Sequence, residues 1–107
     1  MANKKVETIL KKIKKTKEDL LHVEDMRPGS VTMQNHMRGK KKWPYWQISY
    51  TQNKKSKTEY LRDEFVNQIK VEVENYKKFK ILVEKLVQLN IELSKEKLDF
   101  LKNAAKN

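Results

Sequence analysis

The last 45 residues, from Asp63 to Asn107, contain neither glycine nor proline. Nothing in that stretch forces a break, and its apolar residues keep helical time. Phe65, Val66, Ile69, Val73, Tyr76, Phe79, Leu82, Val83, Leu86, Leu89 and Leu93 recur at spacings that place them along one stripe of a helix. Asp63 is suited to cap its N-terminus, and Glu64 to face the positive end of its dipole. A helix over 63–104, at 1.5 Å per residue, would run about 60 Å. A compact monomer of this size is only about 35 Å across. Such a helix must therefore break, protrude or pair. Asn90 lies within the stripe, seven residues after Val83, where a buried amide can set the register of a coiled coil. It can equally end a first helix, with Ser94 capping a second. A long helix and a helical hairpin both remain open, and a homodimer through the C-terminal helix follows from the first.

Residues 1–23 form a second helical pattern. Val6, Ile9, Leu10, Ile13, Leu20 and Leu21 fall at helical spacing, with lysines filling most other positions. A basic amphipathic helix can lie on a membrane surface, but here a long apolar stripe elsewhere in the chain offers an internal partner. Arg27-Pro28-Gly29-Ser30 ends this helix. Val31, Met33 and Met37 then alternate as in a short strand, Arg38 to Lys42 reads as a basic loop, and Trp43 is held extended by Pro44.

Residues 45–61 read as a β-hairpin whose register turns on one residue. A two-residue turn at Asn53-Lys54 sets Ile48 opposite Glu59. A three-residue loop, Asn53-Lys54-Lys55, sets Ile48 opposite Tyr60 and Tyr50 opposite Thr58. The second keeps apolar residues together and is the register expected here. It turns Trp46, Ile48, Tyr50 and Tyr60 toward the core and leaves Tyr45, Gln47, Ser49 and Lys57 outside. The expected fold is a single α+β domain over 1–107: an N-terminal helix (1–23), a small basic antiparallel sheet with a hairpin (30–61), and a long helix or helical hairpin (63–104).

Charge narrows the partner. The chain has 25 Lys and Arg against 14 Asp and Glu, a net charge of +11. Residues 1–23 carry seven lysines against three acids, and residues 24–62 nine basic residues against three acids. Residues 63–107 are nearly balanced, nine against eight. Clustered lysines favour polyanions, because neutralising phosphates releases counterions. The absence of cysteine excludes disulfides and thiolate metal sites. No apolar run nears the roughly 18 residues of a membrane span, and Met1 to Leu10 lacks a signal-peptide core. The expectation is a protein of the bacterial cytoplasm without membrane contact.

Catalysis finds no footing. His22 and His36, the only histidines, sit on different elements, one ending a helix and one on an exposed strand. Adjacent Asp63 and Glu64 do not face one another on a helix. There is no phosphate-binding glycine loop. No enzyme activity, metal or cofactor is expected. The informative region is Arg38 to Tyr60, which holds five of the nine aromatics. Arg38, Lys40, Lys41, Lys42, Lys54, Lys55 and Lys57 can neutralise phosphates, and Trp43 and Tyr45, flanking Pro44, can present ring faces to unpaired bases. No recognition helix carries the Arg, Asn and Gln that read base edges, so sequence readout is not expected.

Pro28-Gly29-Ser30-Val31, the Gly39-Lys40 turn, Pro44-Tyr45-Trp46, the hairpin and the Asn90-bearing helix occur in an order that resembles a small bacterial and archaeal family often associated with mobile elements. That family has a Gly-Ser-Leu segment, a Cys-Gly-Lys turn with further cysteines, Gly-Pro-Tyr-Tyr and an Asn-Gly-Lys hairpin. The resemblance covers about residues 27–93. Arg38 and Lys42 fall near the places of its cysteines, so a zinc-supported turn is absent, and Lys54 replaces the hairpin glycine. The resemblance implies a mobile-element setting and supplies no activity. The leading expectation is a basic nucleic-acid-binding module of phage or mobile-element origin, acting on RNA. A second is an anti-CRISPR-type inhibitor that docks on a host nucleoprotein effector or its guide RNA. A third is a coiled-coil adaptor whose charge only keeps it soluble.

Overall fold

A computed structural model of the chain describes residues 3–105. Its elements are α1 (Lys4–Leu21), β1 (Ser30–Arg38), β2 (Lys41–Gln52), β3 (Lys55–Leu61), a 3-10 turn (Asp63–Phe65) and α2 (Val66–Ala105). This is the expected α+β order of helix, antiparallel sheet and long helix. The elements gather into two compact units. One holds α1 and the part of α2 from Phe79 onward, and the other spans Glu24–Lys78.

In the first unit, the Asn3 side chain caps α1 by accepting a hydrogen bond from the Lys5 amide. Ile9 and Ile13 of α1 pack with Leu89 and Leu93 of α2, and Val6 and Leu86 flank them. The apolar stripe of α1 thus has an internal partner. Leu10 and Leu21, counted in the same pattern, are exposed. Thr16 is fully buried, and its hydroxyl donates to the Lys12 carbonyl at 2.8 Å, so the buried oxygen carries no desolvation penalty.

Helix α2 runs unbroken through Asn90. That residue is exposed, and its amide donates to the Leu86 carbonyl one turn back at 2.8 Å. It neither ends a helix nor enters the buried cluster, and Ser94 caps nothing. The helical-hairpin alternative is therefore excluded. Asp63 differs from expectation too. It opens the 3-10 turn, with Arg62 before it and no side-chain cap, and the helix begins three residues later at Val66.

In the second unit the sheet order is β1-β2-β3, antiparallel throughout. The β2–β3 turn is the two-residue one. Asn53 and Lys54 both adopt positive φ, 53° and 64°, as a type I′ turn requires and as the right-handed strand twist favours. Ile48 therefore faces Glu59 and Tyr50 faces Lys57, which overturns the three-residue loop. Two assignments change with it. Tyr60 leaves the core and pairs with Gln47, while Leu61 takes the buried place opposite Trp46. Lys57 moves from the outer face to the face of Tyr50. The expected basic loop at 38–42 is likewise a hairpin tip: Arg38 pairs with Lys41 across the Gly39-Lys40 turn, with Gly39 at φ 64°. Pro44 sits in the central strand at no cost, because β3 ends opposite Trp46 and leaves β2 unpaired on that side.

The core of this unit is Ile48, Leu61, Val66 and Val73, with Val31, Trp46 and Ile69 packed around it. The Arg27 amide donates to the Glu72 carbonyl and the Asn75 side chain to the Asp25 carbonyl, tying the segment after α1 onto α2. Among the described residues, no helix is long and apolar enough to cross a membrane.

Candidate nucleic-acid interface

Side chains alternate across a sheet, so the register assigns every strand residue a face. Val31, Met33, Trp46, Ile48 and Leu61 share the inner, core-bearing face. The outer face carries Thr32, Gln34, His36 and Arg38 from β1, Lys41, Trp43, Tyr45, Gln47, Ser49 and Thr51 from β2, and Ser56, Thr58 and Tyr60 from β3. Among the described residues, the only acid in a strand, Glu59, is on the inner face. The outer face is therefore free of negative charge along its whole length.

Aromatic rings run across it. Tyr60 is 68% exposed and Trp43 55%, and Tyr45 is half-buried between them. The Tyr45 and Tyr60 ring centroids lie 6.4 Å apart, tilted by 38°. Trp43 is two residues along β2 from Tyr45 on the same face, directly opposite exposed His36. The next pair outward is Arg38 with Lys41, followed by Lys40 in the turn.

The expected site residues divide into groups. Arg38, Lys41, Trp43 and Tyr45 come together on the outer face, with Lys40 at the tip. Lys42 and Lys55 fall on the inner side, and so does Lys57, which hydrogen-bonds Gln52. Lys54 is in the other turn. The two basic turns cap opposite ends of β2, about 35 Å apart for a twelve-residue strand. They do not form one patch. Sequence reasoning missed Tyr60, because one residue of turn length had placed it in the core.

On the inner face, Arg27 and Tyr50 both donate to the Glu59 carboxylate, Tyr50 at 2.7 Å, and the Arg27 guanidinium lies 5.0 Å from the Tyr50 ring centroid. The Arg27 bond, then the Tyr50 bond, holds the Glu59 carboxyl below the usual glutamate range. A carboxyl whose pKa is lower folded than unfolded adds stability above the unfolded value and loses it as pH falls through the folded one. The melting temperature should therefore drop on acidification below about pH 4, and more steeply than in Glu59→Gln. Equal slopes in thermal melts across pH would show that the cluster contributes nothing. Its groups are solvent-accessible, so the difference should be small.

Among the described residues, no group of three His, Cys, Asp or Glu side chains could hold a metal ion. Comparison with protein-family models, curated proteins and solved structures gave no match.

Proposed function

We propose that the protein is a small basic nucleic-acid-binding protein that acts on RNA in the cytoplasm of a bacterial cell, in a phage or mobile-element setting. The observation that carries this is the acid-free outer face of the sheet, running into the Arg38–Lys42 tip. Arg38, Lys40 and Lys41 offer closely spaced cations that neutralise neighbouring phosphates and release their counterions. A two-stranded basic ribbon of this kind can lie along a nucleic-acid backbone without reading base edges. Binding of the full chain to labelled RNA should weaken linearly on a log–log salt plot, with a slope of about −0.7 for each phosphate contact on a single strand. Pull-down from a bacterial host, with and without nuclease, supplies the cellular test. Loss of all partners after nuclease supports the reading. A nucleoprotein effector that stays bound after nuclease and loses its target cleavage would replace it with the inhibitor reading.

A separate observation favours self-association alongside this activity. Val87, Ile91, Ser94, Leu98 and Leu101 follow the alternating four- and three-residue spacing of a coiled-coil seam, and all five are exposed. Among the described residues, the buried apolar core of this helical unit is Ile9, Ile13, Leu89 and Leu93, flanked by Val6 and Leu86, so a second copy packed on the seam would thicken a thin core. Sedimentation of the full chain should show a dimer, and Leu98→Glu should return it to monomer. A monomeric mass up to about 100 μM would remove this proposal.

A further inference from the structure

We infer that the outer face of the sheet is a stacking platform for unpaired bases, so that the ligand is single-stranded nucleic acid. This rests on the nucleic-acid reading and narrows its substrate class. Three aromatic rings with accessible surface lie in sequence across one face: Tyr60 on β3, then Tyr45 and Trp43 on β2. None has a core role that explains it. The core sits on the opposite face, where Ile48 is fully buried and Leu61 nearly so. Trp43 and Tyr60, left at more than half exposure, contribute little to folding, so their clustering around half-buried Tyr45 on one acid-free face needs another reason.

Base stacking supplies it. Every base has a π-face, but in a duplex those faces are covered by neighbouring base pairs. Only unpaired bases can lie on protein rings. Neighbouring same-face positions on a strand are about 6.7 Å apart, which spaces the rings for successive splayed bases. Three rings accommodate about three bases, with His36 beside Trp43 as a further planar group. Arg38 and Lys41 lie next along the same face, where the backbone leaving the last stacked base meets two cations. Thr32, Gln34, Gln47, Ser49 and Thr58 fill the remainder with neutral hydrogen-bonding groups that suit sugars and base edges without imposing a sequence.

The test compares twelve-nucleotide ligands of one mixed sequence by fluorescence anisotropy: single-stranded RNA, single-stranded DNA, and the matching RNA and DNA duplexes. Both single strands should bind at least about tenfold tighter than either duplex, and the ratio between them reports how far the 2′-hydroxyl contributes. Tyr60→Ala and Trp43→Ala should each weaken single-strand binding by roughly 5- to 150-fold without changing the salt slope. Tyr60→Phe, which keeps the ring, should restore it. Circular dichroism checks that the variants stay folded, as exposed positions allow. Duplex binding as tight as single-strand binding, or an alanine variant at Tyr60 that binds as the parent does, would overturn the platform and leave nucleic-acid binding standing. Failure to bind any of the four ligands at low salt would overturn the nucleic-acid reading itself.

Discussion

Charge reversal of Lys40, Lys41 and Lys42 together to Glu is expected to lower RNA affinity by roughly 40-fold at 0.1 M salt. At a slope of about 0.7–0.9 per contact, each phosphate neutralised is worth about sixfold between 1 M and 0.1 M salt, and the contacts of Lys40 and Lys41 multiply. The log-affinity slope against log salt should shrink in magnitude by about 1.4–1.8. The sheet register refines the expectation residue by residue. Lys41 shares the outer face with Arg38, Trp43 and Tyr45, whereas Lys42 pairs with Met37 on the opposite side. Lys41→Glu alone should therefore weaken binding more than Lys42→Glu alone. Equal effects would mean that both faces of the β1–β2 ribbon touch the ligand, as when a ribbon enters a groove, and would sink the single-face geometry. All three lysines are exposed and outside the core, so stability should shift by about 0.5 kcal/mol or less. If the folded triple variant binds as before, the lysines of α1 between Lys4 and Lys17 become the site to test.

The sequence made some features legible and hid others, for identifiable reasons. Helices α1 and α2 could be read because a 3.6-residue apolar period sums over many turns, and one misplaced residue does not spoil it. A hairpin register has no such averaging. A change of one residue in the β2–β3 turn exchanges the two faces of β3. The pattern alone favours the three-residue loop, which groups Tyr60 with Ile48, over the two-residue turn, which sets Glu59 opposite a buried isoleucine. The structure resolves that objection locally, since Glu59 reaches Arg27 and the Tyr50 hydroxyl. Arg27 comes from the segment after α1, 32 residues away in sequence, so no pattern within the hairpin could have revealed it. The same error hid the third ring of the outer face. Trp43 and Tyr45 were legible because the Pro44 between them fixes extended backbone, and alternation then puts both on one side. Asn90 misled for another reason. An amide inside an apolar stripe reads as a break or a buried register pin, yet a helix can absorb it by a bond to its own carbonyl four residues back.

Gly29→Ala should unfold the sheet unit more readily than any surface change. Gly29 sits at φ +142°, a conformation that side chains with a Cβ rarely adopt. An added Cβ would also lie 2.8 Å from Cγ1 of Ile48 and 3.0 Å from the Ser49 carbonyl oxygen. Ile48 cannot step aside, because it is fully buried and packs with Leu61, Val66 and Val73. Backbone strain of about 1–3 kcal/mol and overpacking of about 1–3 kcal/mol act together. The melting temperature should fall by at least about 10 °C, given roughly 4–8 °C per kcal/mol in a domain of this size. Gly39→Ala is the internal comparison. Its φ of +64° is also left-handed, but nothing lies within 4 Å of the added carbon, so only the backbone penalty of about 1–2 kcal/mol applies. A double-mutant cycle separates the two costs at Gly29. In an Ile48→Ala background, Gly29→Ala should cost less than in the parent, because the side-chain clash is gone and only the backbone strain and the approach to Ser49 remain. An unchanged cost in that background would assign the whole effect to φ and the Ser49 carbonyl and remove Ile48 from the account. If both glycine variants melt alike, the close approach of Gly29 to the buried isoleucine carries no stability at all.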